Sequence, residues 1–439
     1  MRIKIQKISS DDLMYVAIVM LVFLTCFPIT MCLPSSIRYA LQIMAMLFFF
    51  LGLVMSRNAK RIFLFIIIVT VMLIRVYFTW QYRRSFTSCA FNVYASWAFA
   101  FYGFSIYKDN NNKERYKKLF TLLFIMISFT AVTTIIGIQR YPLVVRELGR
   151  STKSYSGATG SDFSLMKWEY RLSNIAGWNQ LYGMVFLLPV FLYAYTMTKK
   201  KLLLLGSALI EFCIIRSQLT FAVLLSIVLV LFSFIKPNKN KNKLALELFL
   251  LFLGIIAVLN IDNIILLMVR LTSSRSMVML SNKLYDLYLL LQGVNTGDAL
   301  SRTSMYSLSI GLFKQHPLIG QALYGVDSPY MFSYHSDFLD MLGYYGLFGL
   351  ALVVIGIVIY YRFIKTTDAP KWLSFVLFLC FFAMYVFNPI WYSPQIFIGV
   401  FLMPAILSKV FNNQVVTDKL PLSNQAEIIP VCNRSSRSF

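Results

Sequence analysis

The chain has 439 residues, of which 58% are hydrophobic and only 13% charged, with a mean hydropathy of +0.68 and a formal net charge of +23. A soluble domain carries about twice that charged fraction, so composition excludes a soluble globule. Apolar runs recur from end to end at the length a helix needs to cross a hydrocarbon core of about 30 Å. The alternating segments of about ten residues that build a transmembrane barrel do not occur. The expected fold class is an all-α, polytopic integral membrane protein.

In chain order, about twelve spans are expected, near 13–33, 37–56, 62–80, 88–107, 118–138, 177–197, 202–215, 217–235, 244–268, 344–364, 372–391 and 393–410. The first run is long enough to span and lacks a small-residue cleavage pattern, so it is expected to stay as a helix. Alternate connections are basic: Arg2, Lys4 and Lys7; Arg57, Lys60 and Arg61; Lys108 to Lys118; Lys199 to Lys201; Lys236 to Lys243; Arg362, Lys365 and Lys371. The intervening short connections hold only Arg38, Arg83, Arg84 and Arg216. The positive-inside rule then puts both termini in the cytoplasm. The basicity is therefore topological, with anionic lipid headgroups as minor partners and no nucleic acid expected.

That topology turns two long connections outward, about 139–176 and 270–335. Connections longer than about 15 residues are usually functional or disordered. These hold Trp168, Tyr170, Tyr285, Tyr288, Tyr306 and Tyr324 and are expected to be ordered and partly helical. The stretch 277–291 has apolar residues at helical spacing, suited to lying on the membrane surface. Residues 1–411 read as one membrane domain, and the polar tail 412–439 as cytoplasmic and disordered. Six scattered cysteines show no metal-ligand or disulfide spacing. No P-loop, GxGxxG, HExxH or DxD pair is present, so no cofactor and no metal are expected.

Only two histidines occur. His316, in Lys314-Gln-His-Pro-Leu-Ile-Gly320, precedes a proline that disfavours helix and reads as a helix-ending interfacial residue. His335 opens Tyr334-His-Ser-Asp-Phe-Leu-Asp-Met-Leu-Gly-Tyr-Tyr-Gly-Leu-Phe-Gly349, where a polar connection becomes a membrane helix; imidazole there suits a general base. Gly343, Gly346 and Gly349 recur every three residues and are expected to form one helix face for close packing. Arg216, between two apolar helices, and Arg302, in Leu300-Ser-Arg-Thr-Ser-Met-Tyr306, carry the planar fork that holds phosphate oxygens. Arg75 lies deep in a span, where a charge faces protein or a cavity; Glu211, one turn before Arg216, is the expected partner of opposite charge. Arg140, Arg146, Arg150 and Arg171 make the first long connection basic, suited to guiding an anionic substrate.

Their order resembles a family: Arg216 at a helix boundary, a long connection with Arg302 and Tyr306, His-Pro-Leu-Ile-Gly320, then His335-Ser336, nine residues and Gly-Leu-Phe-Gly349. It is similar to the O-antigen polymerase and ligase superfamily, the Wzy and WaaL proteins. Thr133-Thr-Ile-Ile-Gly-Ile-Gln-Arg-Tyr-Pro142, Arg146 and Asn174-Ile-Ala-Gly-Trp-Asn-Gln-Leu-Tyr-Gly183 resemble the polymerase branch. Ile215 departs from the pattern, since many relatives carry Ser before the membrane-edge arginine. The resemblance implies a GT-C-like, metal-independent glycosyltransferase outside the cytoplasmic membrane, polymerising undecaprenyl-pyrophosphate-linked repeat units of O-antigen or capsule. In that reading His335 handles the acceptor proton and Arg302 and Arg216 hold the leaving pyrophosphate. Arg171, Arg146, Tyr306 and Ser336 contact substrate, and chain-length regulator and flippase proteins are partners. The alternatives are a ligase that transfers polymer to lipid A–core, and a lipid-linked oligosaccharide flippase; the latter should show paired repeats and broken helices.

Overall fold

The computed structural model describes residues 9–80, 86–106, 112–149, 157–234, 261–274, 277–294, 297–325, 331–366 and 371–417. Among them the fold is helical, with no β-strand. The first half holds α1 (Ser10–Cys26), α2 (Ser35–Met55), α3 (Ala59–Trp80), α4 (Phe86–Ile106), α5 (Lys113–Arg140), α6 (Val144–Gly149), α7 (Gly160–Leu172), α8 (Trp178–Thr198) and α9 (Lys201–Arg216). The second holds α10 (Thr220–Phe234), α11 (Ile261–Thr272), α12 (Val278–Leu291), α13 (Gly297–Gln315), α14 (Asp337–Thr366) and α15 (Lys371–Phe387). The last span is α16 (Pro394–Phe397), a π-helical turn (Ile398–Leu402) and α17 (Met403–Thr417).

Among the described residues, five stretches are long and apolar enough to cross a membrane: α2, α5, α8, Asp337–Arg362 of α14, and Pro394–Phe411; α10 and α15 are shorter apolar helices. The spans expected at 13–33, 62–80, 88–107 and 202–215 coincide with α1, α3, α4 and α9, which are not among the five. The span expected at 244–268 falls largely outside the described residues, as does Arg150. The final helix continues to Thr417, past the expected start of a disordered tail at 412.

Local chemistry sets these boundaries. Ser9 and Asp12 form a reciprocal capping box that starts α1. Pro34 precedes α2 and Pro394 opens α16, at positions where a missing N–H costs nothing. Helix α8 is buried on nearly every side from Gln180 to Leu192, so it forms the bundle's axis. It packs on α9, α10, α16 and α17. Around the π turn, Trp97, Phe381 and Phe401 surround Phe397 with ring centroids 5.5, 5.6 and 5.3 Å away. Gln395 Nε2, buried in this core, donates to the Thr25 carbonyl at 2.6 Å, giving the amide nitrogen its partner.

Both long connections contain helices, as expected: α6 and α7 in the first, α12 and α13 in the second. The first connection is tied to α5 by the two sequence motifs that distinguish it. Asn174 Nδ2 donates to Thr130 Oγ1 at 3.0 Å, Thr133 Oγ1 donates to the Asn174 carbonyl at 2.8 Å, and the Ala176 N–H donates to Thr134 Oγ1 at 2.8 Å. Asn174 is buried and has φ +55°, a left-handed conformation that asparagine tolerates better than most residues. Asn174→Ala should therefore lower unfolding stability by about 1–3 kcal/mol, read as an earlier thermal transition of the detergent-solubilised protein. A transition unchanged from the parent would show that these bonds contribute nothing.

The glycine stripe of α14 does not form the expected single packing face. Gly346 has φ +60° and ψ −143°, so the helix breaks there. A Cβ on Gly346 would lie 2.5 Å from the Pro317 carbonyl oxygen, while one on Gly343 would meet the Ser309 carbonyl of α13 at 3.1 Å and one on Gly349 the Met341 carbonyl of its own helix at 2.5 Å. The Pro317–Leu318 backbone fills the break. Its carbonyls accept from the N–H groups of Leu347 (2.8 Å) and Phe348 (3.3 Å), which the interruption leaves without helical partners. Gly320, with φ +72°, lies against the Tyr344 backbone at a spot where any Cβ would clash at 2.3 Å.

Candidate active site

At the start of α14, an arginine and two aspartates from elements distant in sequence meet in a dry pocket. Arg75 of α3 is 2% exposed, and Asp337 and Asp340 of α14 are fully buried. Arg75 Nη2 lies 2.8 Å from Asp337 Oδ1 and 3.7 Å from Asp340 Oδ2. The guanidinium also sits 4.7 Å from the Trp391 ring centroid and 5.5 Å from that of Tyr344. Charges at this depth are tolerated only when paired. Arg75 is paired with these aspartates and not with Glu211, whose Oε1 accepts from Ser226 Oγ at 3.2 Å.

Each carboxylate also holds backbone. Asp337 Oδ2 accepts the N–H groups of Ile390 and Trp391, fixing the α15–α16 turn. Asp340 Oδ1 accepts Ser309 Oγ of α13 at 2.6 Å, Ser333 Oγ at 2.7 Å and the Ser333 N–H at 3.2 Å. The Ser333 hydroxyl oxygen then accepts the His335 N–H at 3.2 Å. Phe332 stacks flat on Tyr344, centroids 3.7 Å apart, and seats the 331–336 turn on α14. His335 is half-buried at the rim of this assembly. Ser336 is fully buried, and its Oγ accepts the Leu339 N–H at 3.1 Å, so it caps α14.

Arg302 and Tyr306 lie four residues apart on α13 and therefore on one helix face. Tyr306 is half-buried; the Arg302 side chain lies outside the described residues. His316 follows the last residue of α13, as expected for a helix-ending position, and stacks on Tyr324 with centroids 3.9 Å apart.

A second gathering point joins the two long connections. Arg216, half-buried, ends α9. Two residues on, Gln218 has φ +59° and is 2% exposed. Arg146 of α6 donates from Nη2 to the Gln218 carbonyl, while Gln218 Oε1 accepts the N–H groups of Met279 (3.1 Å) and Leu280 (3.4 Å) at the start of α12. One turn thus binds α6, α9 and α12 together, and α12 packs on α13. Arg171 lies elsewhere. It is half-buried at the end of α7, close enough to Cys32 and Arg38 of the α1–α2 connection for their charges to act on it. Burial, then the charge of Arg171, pushes the Lys167 ammonium below its usual range.

Bordering Trp391, α3, α4, α14 and α15 leave an apolar chamber of about 490 Å³ whose wall also includes Met72, Trp97, Met341 and Tyr385. The assembly therefore joins a histidine-bearing turn to the helix that carries Arg302, and an apolar space borders Trp391, whose N–H Asp337 holds.

Residues 180–354, somewhat less than half of the chain, match the family model Wzy_C, described as O-antigen ligase. Over that segment the chain is similar to the Wzy/WaaL superfamily. No curated protein and no solved structure matches it. The matched segment runs from α8 into α14 and takes in Arg216, Arg302, His316, His335 and both buried aspartates. Sequence reading within the superfamily pattern overlooked Asp337 and Asp340. Their signal was two acids three residues apart at the head of an apolar span, which require a cation from another span; Arg75 supplies it.

Proposed function

We propose that this chain is a Wzy/WaaL superfamily member, a GT-C-like glycosyltransferase of about twelve spans in a bacterial inner membrane, with both termini cytoplasmic, that polymerises undecaprenyl-pyrophosphate-linked repeat units of O-antigen or capsular polysaccharide. In the reaction the glycosyl carbon leaves the pyrophosphate oxygen and bonds to an acceptor hydroxyl of another lipid-linked unit. The acceptor proton passes to the His335 imidazole. Arg302 and Arg216 hold the departing pyrophosphate by bidentate contacts, which need no metal. The observation that carries this reading is the convergence of the His335 turn and α13 on one carboxylate, with the Arg216 turn joined to α13 through α12. The apolar chamber suits part of an isoprenoid tail. Chain-length regulator and flippase proteins are the proposed partners.

A ligase reading is favoured by the description of the matched family. It shares the second connection's chemistry, and the first connection separates the two. Its Arg146 bridges to the Arg216 turn, and Arg171 and Arg38 form a further basic point, which suits two anionic lipid-linked glycans held at once. The glycan profile of a deletion strain tests the choice. Single repeat units on the final acceptor are expected. A bare acceptor with long polymer stranded on the carrier would instead identify a ligase.

A further inference from the structure

The buried carboxylate of Asp340 connects the two elements to which the proposed chemistry is assigned. Ser309 lies two turns beyond Arg302 on α13, hence on the same face of that helix. Its hydroxyl donates to Asp340 Oδ1, and so do the hydroxyl and the N–H of Ser333, whose own oxygen accepts the His335 N–H. Ser309 and Asp340 are 0% exposed and Ser333 is 2% exposed, so water does not compete for these bonds. Asp340 Oδ2 faces the Arg75 guanidinium at 3.7 Å. Three donors converge on one oxygen, with the Ser333 N–H shared between it and Ser309 Oγ at 2.9 Å.

We infer that Asp340 is a positioning residue that fixes the His335 turn against the Arg302 helix, with Ser309 and Ser333 as its two arms and Arg75 holding its charge. The inference rests on the glycosyltransfer reading above. Asp340 touches no reacting atom in it. It sets the separation between the base and the pyrophosphate-gripping helix, and a misplacement of about 1 Å between reacting groups can cost about 10²-fold in rate. Asparagine at this position retains a carbonyl oxygen but loses the charge that organises three donors, so it should perform between aspartate and alanine.

The test is a double-mutant cycle on the purified full chain in detergent. Its substrate is the undecaprenyl-pyrophosphate repeat units accumulated by a strain lacking this protein. Ser309→Ala, Asp340→Asn and Asp340→Ala are each measured alone and combined with His335→Ala. Alone, each should lower kcat, by about ten- to a hundredfold for Asp340→Ala, with KM little changed. In the His335→Ala background the same changes should add almost nothing, because the residue they position is gone. Equal losses in both backgrounds, or a loss confined to KM, would overturn the inference. Should the Asp340 variants fail to fold, Ser309→Ala decides the matter, since it removes one arm and leaves the Asp340 carboxylate facing Arg75. Fully active His335→Ala protein would sink the glycosyltransfer reading and this inference together. Impaired His335→Ala protein with an additive cycle would sink this inference alone.

Discussion

His335→Ala is expected to lower the rate of polymer formation by about 10²–10⁴-fold, the range associated with a lost proton-transfer group, while the protein still accumulates in the membrane. The side chain sits half-buried at the rim, and the turn that carries it is held by the Ser333 hydroxyl and by Phe332 stacked on Tyr344. Neither contact involves the imidazole, so both persist in His335→Ala protein. His316→Ala makes the control. That ring stacks on Tyr324 beyond the end of α13, and its loss should cost far less activity. The measurement is chain extension on lipid-linked repeat units by purified protein, with thermal transitions recorded in parallel. Near-normal turnover by His335→Ala protein would remove histidine from the mechanism.

The largest expected effect on stability belongs to Asp337→Ala. It removes the nearer carboxylate from Arg75, leaving that of Asp340 at 3.7 Å, and takes the acceptor from the N–H groups of Ile390 and Trp391. Removing one member of a buried ion pair typically costs about 3–5 kcal/mol, because the remaining charge stays desolvated. Asp337→Asn should lose less, since its amide oxygen can still accept from the turn. Unfolding in detergent as a function of temperature or denaturant would rank the three proteins. A transition for Asp337→Ala close to that of the parent would mean that Arg75 finds compensation in the chain.

The helical class, the positions of most helices and the helices within the two long connections were legible because apolar runs and their spacing are local properties of the sequence. The order Arg216, Arg302, His335 and Gly349 was legible for the same reason. Pairing across the fold was not. Arg75 and Asp337 are 262 residues apart, and periodicity says nothing about which spans become neighbours. Glu211 was the nearest acid by pattern, yet its described partner is Ser226. Gly346 misled differently. Its three-residue spacing from Gly343 and Gly349 reads as a packing face, whereas the structure uses its positive φ to admit the Pro317–Leu318 backbone. The first-connection motifs around Thr133 and Asn174 were recognised by resemblance, but their mutual hydrogen bonds show up only once α5 and the connection are placed together.

The break at Gly346 also gives meaning to the nine residues that separate it from Ser336. At one end the spacer is clamped by the Ser336 cap and the aspartates, and at the other by the Pro317 and Leu318 carbonyls. It therefore works as a ruler of about two and a half helical turns, some 13 Å long. Adding one residue would swing the histidine end by about 100° and lift it by about 1.5 Å relative to the Pro317–Leu318 backbone. Apart from the two aspartates, side chains within the ruler can change wherever packing allows; its length in residues cannot.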